Sequence, residues 1–168
     1  MKKITLLFGL MFIFFLVDAQ KISTLHIDKM NSSDFTPGDI VKVSVFIDEL
    51  TDPVALIQMY IGFDEKVLQY KSTSYVNPVF KNGWKDNVTS LYFAAVFISV
   101  NSTGNIEEQM GKLCELEFIY KGGVTDLIWG TEEVIQNGVR ITGDTRFFDS
   151  NSKDIVLSLI DGCVCKLE

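Results

Sequence analysis

The chain has 168 residues, a formal net charge of −7 and a pI of about 4.7. At 47% hydrophobic and 22% charged residues it has the makeup of a globular chain, not of a disordered tail. Arg140 and Arg146 are its only arginines, and it holds one histidine and three cysteines, a set that argues against phosphate-tracking nucleic-acid binding and against catalysis.

Residues 1–20 carry Lys2 and Lys3, then an apolar run from Ile4 to Val17, then Asp18-Ala19-Gln20. A spanning helix needs roughly 20 apolar residues, and this run is shorter. The pattern predicts a secretory signal peptide of bacterial type over 1–19, with the cut after Ala19 or Gln20. Its loss removes Lys2, Lys3 and Asp18 and leaves a net charge of −8. The mature chain, 20–168, is then expected outside the cytoplasm: extracellular, periplasmic or on the cell surface. No second apolar run is long enough to span a membrane.

The mature chain reads as all-β. Leu25 and Ile27 alternate with Thr24, His26 and Asp28. Thr36-Pro37-Gly38-Asp39 is a turn signal. Val41, Val43, Val45 and Ile47 then share one face of a strand, opposite Lys42, Ser44 and Asp48. Ile57, Met59, Ile61 and Phe63 share a face, as do Leu91, Phe93, Ala95 and Phe97. Cys114, Leu116, Phe118 and Tyr120 alternate with Glu115, Glu117 and Ile119, before Gly122-Gly123 breaks the run. Residues 124–129 form a short strand, Asn137-Gly138 a tight turn, and 155–160 and 163–167 close the chain around Asp161-Gly162. Helical character is limited to about one turn at 64–68 and at 106–110. Eight or nine strands separated by turns predict a β-sandwich in a single domain.

Four motifs carry a resemblance. Pro37-Gly38-Asp39 leads into Ile40-Val41-Lys42-Val43; Phe63-Asp64-Glu65-Lys66-Val67-Leu68 ends a strand; Gly111-Lys112-Leu113 runs on to Phe118; and Asp161-Gly162-Cys163-Val164 closes the chain. In this order they resemble the cohesin domain, a nine-stranded jelly-roll sandwich of bacterial extracellular proteins. Glu65 stands where the family pattern has proline. The resemblance implies a non-catalytic recognition module with no cofactor. It implies a protein partner, a dockerin-like module, in polysaccharide degradation or surface assembly.

In cohesins one outer sheet face meets the dockerin. Strand alternation puts Gln58, Tyr60, Tyr92 and Ala94 outward on strands that the resemblance assigns to one sheet, and Glu115 and Glu117 are expected to join them from the next strand. Tyrosine suits such a face because it brings contact area at little entropic cost. The alternative is a carbohydrate-binding module, with Trp84, Tyr75 and Asn87 stacking on and bonding a sugar from a polar loop.

Other features carry less. Glu115 and Glu117 lie two apart on one strand and cannot readily flank a glycosidic bond. Asp149-Ser150-Asn151-Ser152-Lys153-Asp154 begins like a calcium loop, but Lys153 repels a cation and no glycine stands at Asp154. Nothing else has metal-ligand spacing, so no metal is expected. His26 reads as a surface residue. Cys163 and Cys165 lie two apart on a strand, a placement expected to resist pairing with each other, and Cys114 could meet one of them only across the sandwich.

Overall fold

A computed structural model describes residues 22–50, 52–88, 92–98, 110–131, 133–136 and 139–167. The expected signal peptide, the Asn137-Gly138 turn and nearly all of the helical candidate at 106–110 lie outside these residues. The strands in chain order are β1 (Ser23–Ile27), β2 (Lys29–Asn31), β3 (Ile40–Glu49), β4 (Leu56–Gly62) and β5 (Leu68–Val76). Then come α1 (Pro78–Lys81), β6 (Trp84–Val88), β7 (Tyr92–Ile98), β8 (Gly111–Tyr120), β9 (Thr125–Trp129), β10 (Glu133–Gln136) and β11 (Val139–Thr142). β12 (Arg146–Phe148), β13 (Asp154–Ile155), β14 (Leu157–Ile160) and β15 (Gly162–Cys165) complete the chain.

Two sheets face each other. The first has the order β14-β1-β3-β8-β5. The second runs β13-β12-β4-β9-β15-β2, with β7 on the free side of β4 and β6 beyond β7. Leu25, Val41, Val43, Val45, Leu116 and Phe118 of the first sheet close on Ile57, Met59, Ile61, Phe93, Trp129 and Phe147 of the second. This is the all-β sandwich the alternation predicts, since residues two apart on a strand share one face.

The described strand segments outnumber the nine expected, because the terminal strands change sheets, β9 and β12 share one edge of β4 with the pair β10–β11 between them, and the short β13 adds to β12. β1 lies in the first sheet and β2 in the second; β14 pairs parallel to β1, and β15 parallel to β2. Both strands therefore bend together, at Asp28 and at Asp161-Gly162.

The turns behave as their side chains dictate. Gly38 holds φ +104°, and Asp39 Oδ2 accepts from the Thr36 amide at 2.7 Å and its hydroxyl at 2.8 Å. Asp64 Oδ1 accepts from the Lys66 amide at 2.8 Å, after which Val67 and Leu68 turn back into the core. Residues 64–68 thus form a turn and not a helix. The one described α-helical turn is α1, capped by Asn77, whose side chain accepts from the Val79 amide at 3.1 Å.

Two strands lacked a clear period in the sequence. β5 is polar (Gln69, Lys71, Ser72, Ser74) because it is the edge of the first sheet, and its pairing with β8 slips twice. β6 occupies what read as a polar loop. Asp86 of β6 accepts from the hydroxyls of Thr73 at 2.6 Å and Tyr70 at 3.2 Å, tying the two sheet edges together. Burial pushes the Tyr70 phenol up to about 12.

Candidate functional site

The outer face of the second sheet is built from three rows of side chains. Cross-strand register aligns Arg146 with Gln58, Gln58 with Val96 and Val96 with Lys85. The next row is Tyr60, Ala94 and Asn87, and the third joins Ile128, Gly62 and Tyr92. Ile57, Met59, Ile61, Phe93 and Ala95 take the inward positions of the same strands. The result is an apolar and aromatic centre, Tyr60, Tyr92, Ala94 and Val96, underlain by the buried Ile128 and bordered by Arg146, Gln58, Lys85 and Asn87.

Neighbours hold the face in shape. The Tyr60 and Tyr92 rings lie 5.8 Å apart between centroids and tilted by 55°. Tyr60 also packs on Ile128. Gln58 Nε2 donates to the Asp144 carbonyl at 3.0 Å. Arg146 reaches Asp154 at 2.6 Å and Asp144 at 3.6 Å and sits 5.4 Å over the Phe148 ring. Such a face offers area and a fixed shape. Among the described residues no cluster of histidine, cysteine or carboxylate side chains could hold a metal ion.

Four of the six residues expected to share a face do so: Gln58, Tyr60, Tyr92 and Ala94. Glu115 and Glu117 do not join them. They lie on β8, which pairs with β3 and β5 in the opposite sheet. There Lys42 stands 3.5 Å from Glu115 and 3.3 Å from Glu117, Lys112 lies 2.6 Å from Glu115, and Lys71 lies 3.3 Å from Glu117. Ser74 donates to Glu115 at 2.8 Å and Ser72 to Glu117 at 3.0 Å. The Lys112 hydrogen bond holds the Glu115 carboxyl below its ordinary range, and the Ser72 hydrogen bond, followed by that of Lys71, does so for Glu117. These carboxylates serve a ladder of ion pairs within the sheet. Period two told inside from outside but not which sheet β8 would enter.

The sugar-binding set is also dispersed. Register puts Trp84 opposite Phe97 and Asn87 opposite Ala94, so the two point to opposite faces of β6. The Trp84 indole packs against the core, with its Nε1 buried and unpartnered. Tyr75 is on β5 in the other sheet. No coplanar aromatic strip unites the three, because the loop expected around Trp84 is a strand that turns its indole inward.

The cysteine expectation is corrected as well. Cys163 and Cys165 form a disulfide, with Cα atoms 5.4 Å apart. Two residues of extended strand span about 6.6 Å; the shorter separation here lies within the range a disulfide bridges. Cys114 is a free, buried thiol, pushed up in pKa by its burial. His26 is half-buried, with Nδ1 2.6 Å from Asp48 Oδ2 and its ring stacked 4.8 Å from Phe46.

The sequence reading missed Val96, Lys85, Ile128 and Arg146 as members of the face. Val96 follows Ala94 by two and was legible from alternation alone. Ile128 and Arg146 enter only through the pairing of β9 and β12 with β4.

Comparison with known proteins agrees with this architecture. The chain matches the profile described as "Cohesin domain" over residues 24–156. No curated protein sequence matches it significantly. Among solved structures it is similar to the sixth cohesin of scaffoldin B from Acetivibrio cellulolyticus, solved with the Cel5 dockerin. The identity is 18% and the TM-score 0.68, covering 88% of this chain and 100% of the other. It is similar to the third ScaC cohesin of the same organism, solved with a ScaB dockerin mutated in its C-terminal helix. Here the identity is 11% and the TM-score 0.71, with 88% and 100% covered. A non-cellulosomal cohesin from the archaeon Archaeoglobus fulgidus matches at 14% identity and TM-score 0.65, with 88% and 93% covered. The profile match spans most of the chain and the sandwich agrees with it, so this chain belongs to the cohesin-domain family.

Proposed function

We propose that this chain is a secreted, non-catalytic docking module that binds a dockerin-type module of a partner protein through the outer face of β4, β7 and β6. The carrying observation is the Tyr60–Tyr92 pair, set beside Ala94 and Val96 on an outer sheet face with a polar border. Aromatic and small apolar side chains ringed by polar ones are the makeup of an interface centre and its rim. Family membership supplies the partner class, since two of the similar cohesins were solved with dockerins. Signal cleavage near Ala19 would deliver the module outside the cytoplasm, where polysaccharide degradation or surface assembly takes place. Among the described residues no helix is long and apolar enough to cross a membrane. No observation favours direct polysaccharide binding.

The test is a calorimetric titration with the Cel5 and ScaB dockerins of A. cellulolyticus, using wild type, Tyr92→Ala and Ala94→Arg. A buried interface aromatic truncated to alanine costs on the order of 2 kcal/mol, roughly 30-fold in affinity. An arginine at the centre of the face is expected to abolish binding. Unchanged affinity in both variants would overturn this placement of the site.

A further inference from the structure

Opposite Tyr60 the second sheet is interrupted. β9 pairs with β4 at Ile61 and Gly62, and β12 resumes pairing with the same edge at Gln58, Ile57 and Leu56. The chain leaves at Gly130 and returns at Thr145, and a short connection would have kept the strand continuous. Between these points it instead forms the antiparallel hairpin β10–β11, in which Glu133 pairs with Thr142 and Gln136 with Val139.

The base of the hairpin is knotted onto Tyr60. The Gly130 amide donates to the Tyr60 carbonyl at 2.9 Å, and the Thr145 amide donates to the Gly130 carbonyl at 2.7 Å. Thr145 Oγ1 accepts from the Tyr60 amide at 3.1 Å and donates to its carbonyl at 3.2 Å. Thr145 is buried. The direction of the hairpin follows from Gly143. A Cβ there would fall 2.5 Å from Cε1 of the Tyr60 ring, so the Gly143 backbone lies directly against that ring. Tyr60 projects outward, between the inward-facing Met59 and Ile61. The hairpin therefore leaves the sheet at Tyr60 with its Gly143 end on the outer side, from a base that four hydrogen bonds hold in place.

We infer that the hairpin β10–β11 is a wall along one side of the docking face, which selects among helical dockerin-type partners. This rests on the docking reading above. A helical module laid across Tyr60, Tyr92 and Ala94 meets the base of the hairpin at Gly143 and cannot extend past it over β12. Partners whose helices run that way are excluded, and those that abut the hairpin gain contact with it. Specificity of this kind comes from an obstructing element as much as from an attractive one.

The experiment compares wild type with a chain in which residues 131–143 are replaced by two glycines, each titrated with the Cel5 and the ScaB dockerin of A. cellulolyticus. Ala94→Arg is run in parallel, and thermal unfolding confirms that each variant folds. Removing the hairpin is expected to change the ratio of the two affinities at least tenfold, a partner bound only after removal included, while Ala94→Arg weakens both. The wall is overturned if Ala94→Arg blocks binding but hairpin removal leaves the ratio unchanged. The docking reading itself falls, and the wall with it, if Ala94→Arg changes neither titration or if neither dockerin binds either form. A second measurement leaves the hairpin intact, with p-benzoylphenylalanine in place of the exposed Thr131 at its base or, on the opposite sheet, of Ser158. The first is expected to cross-link to a bound dockerin and the second is not; binding without a cross-link at Thr131 contradicts the wall.

Discussion

A Cβ on Gly162 would clash with the backbone oxygen of Asp28. The two residues mark the places where the last and first strands leave one sheet for the other, and there the two backbones touch. Gly162 is not among the positive-φ glycines, so the demand is steric and not torsional. Asp161 beside it accepts from the Trp129 amide at 2.9 Å, and the Trp129 indole donates to the Ile160 carbonyl at 2.9 Å. The crossing is thereby tied to the largest fully buried side chain of the core.

Gly162→Ala is therefore expected to destabilise the fold by about 1–3 kcal/mol or more, since the clash is with backbone that cannot rotate away. Gly38→Ala is the comparison. Its Cβ would meet nothing within 4 Å, so only the φ of +104° resists it, at a cost of about 1 kcal/mol. Urea unfolding of both variants checks the order, and equal losses would contradict the steric account.

The ladder around Glu115 and Glu117 predicts acid sensitivity. Both carboxyls titrate below their ordinary 4.5 in the folded chain. Groups depressed by folding contribute stability that is fully present above the unfolded value and is lost as the pH falls through the folded one. Thermal midpoints of wild type are expected to drop as the pH falls below about 4.5. The double variant Glu115→Gln, Glu117→Gln is expected to start lower at neutral pH and to fall less. Parallel curves would remove these two residues from the acid transition.

Trp84 acts as a packing residue in the described fold. Trp84→Ala is expected to cost about 2–3 kcal/mol, below the range for a fully buried tryptophan because part of the ring is exposed. Trp84→Phe should cost about 1 kcal/mol or less, because the buried Nε1 has no partner to lose. Chemical denaturation separates the two. A loss of glycan binding with unchanged stability would restore the sugar-stacking role.

Thiol counting tests the cysteine assignment. The native chain is expected to react with no equivalent of Ellman's reagent, because the Cys114 thiol is buried and its pKa raised. In denaturant one thiol should appear, and after reduction three. Three thiols in denaturant without reductant would contradict the Cys163–Cys165 bond.

The sequence by itself determined which residues face inward. Period two along β3, β4 and β8 separated Val43, Met59 and Leu116 from Lys42, Tyr60 and Glu115, because apolar area must leave water whichever strands come to be neighbours. It also determined the turns at Gly38 and Asp64, where local backbone and side-chain bonding suffice. Strands β5 and β6 were illegible for a physical reason. An edge strand is paired on one side only and tolerates polar residues and slips of register, so its pattern is weak. Tertiary structure alone decided that Glu115 lies on the sheet opposite Tyr60, that Arg146 borders the Tyr60 face and Ile128 lies beneath it, and that Trp84 turns inward. Each of these depends on which strand pairs with which. That choice is made by contacts between residues far apart in the chain, as when Gly130 and Thr145 close on Tyr60, and no local period records it.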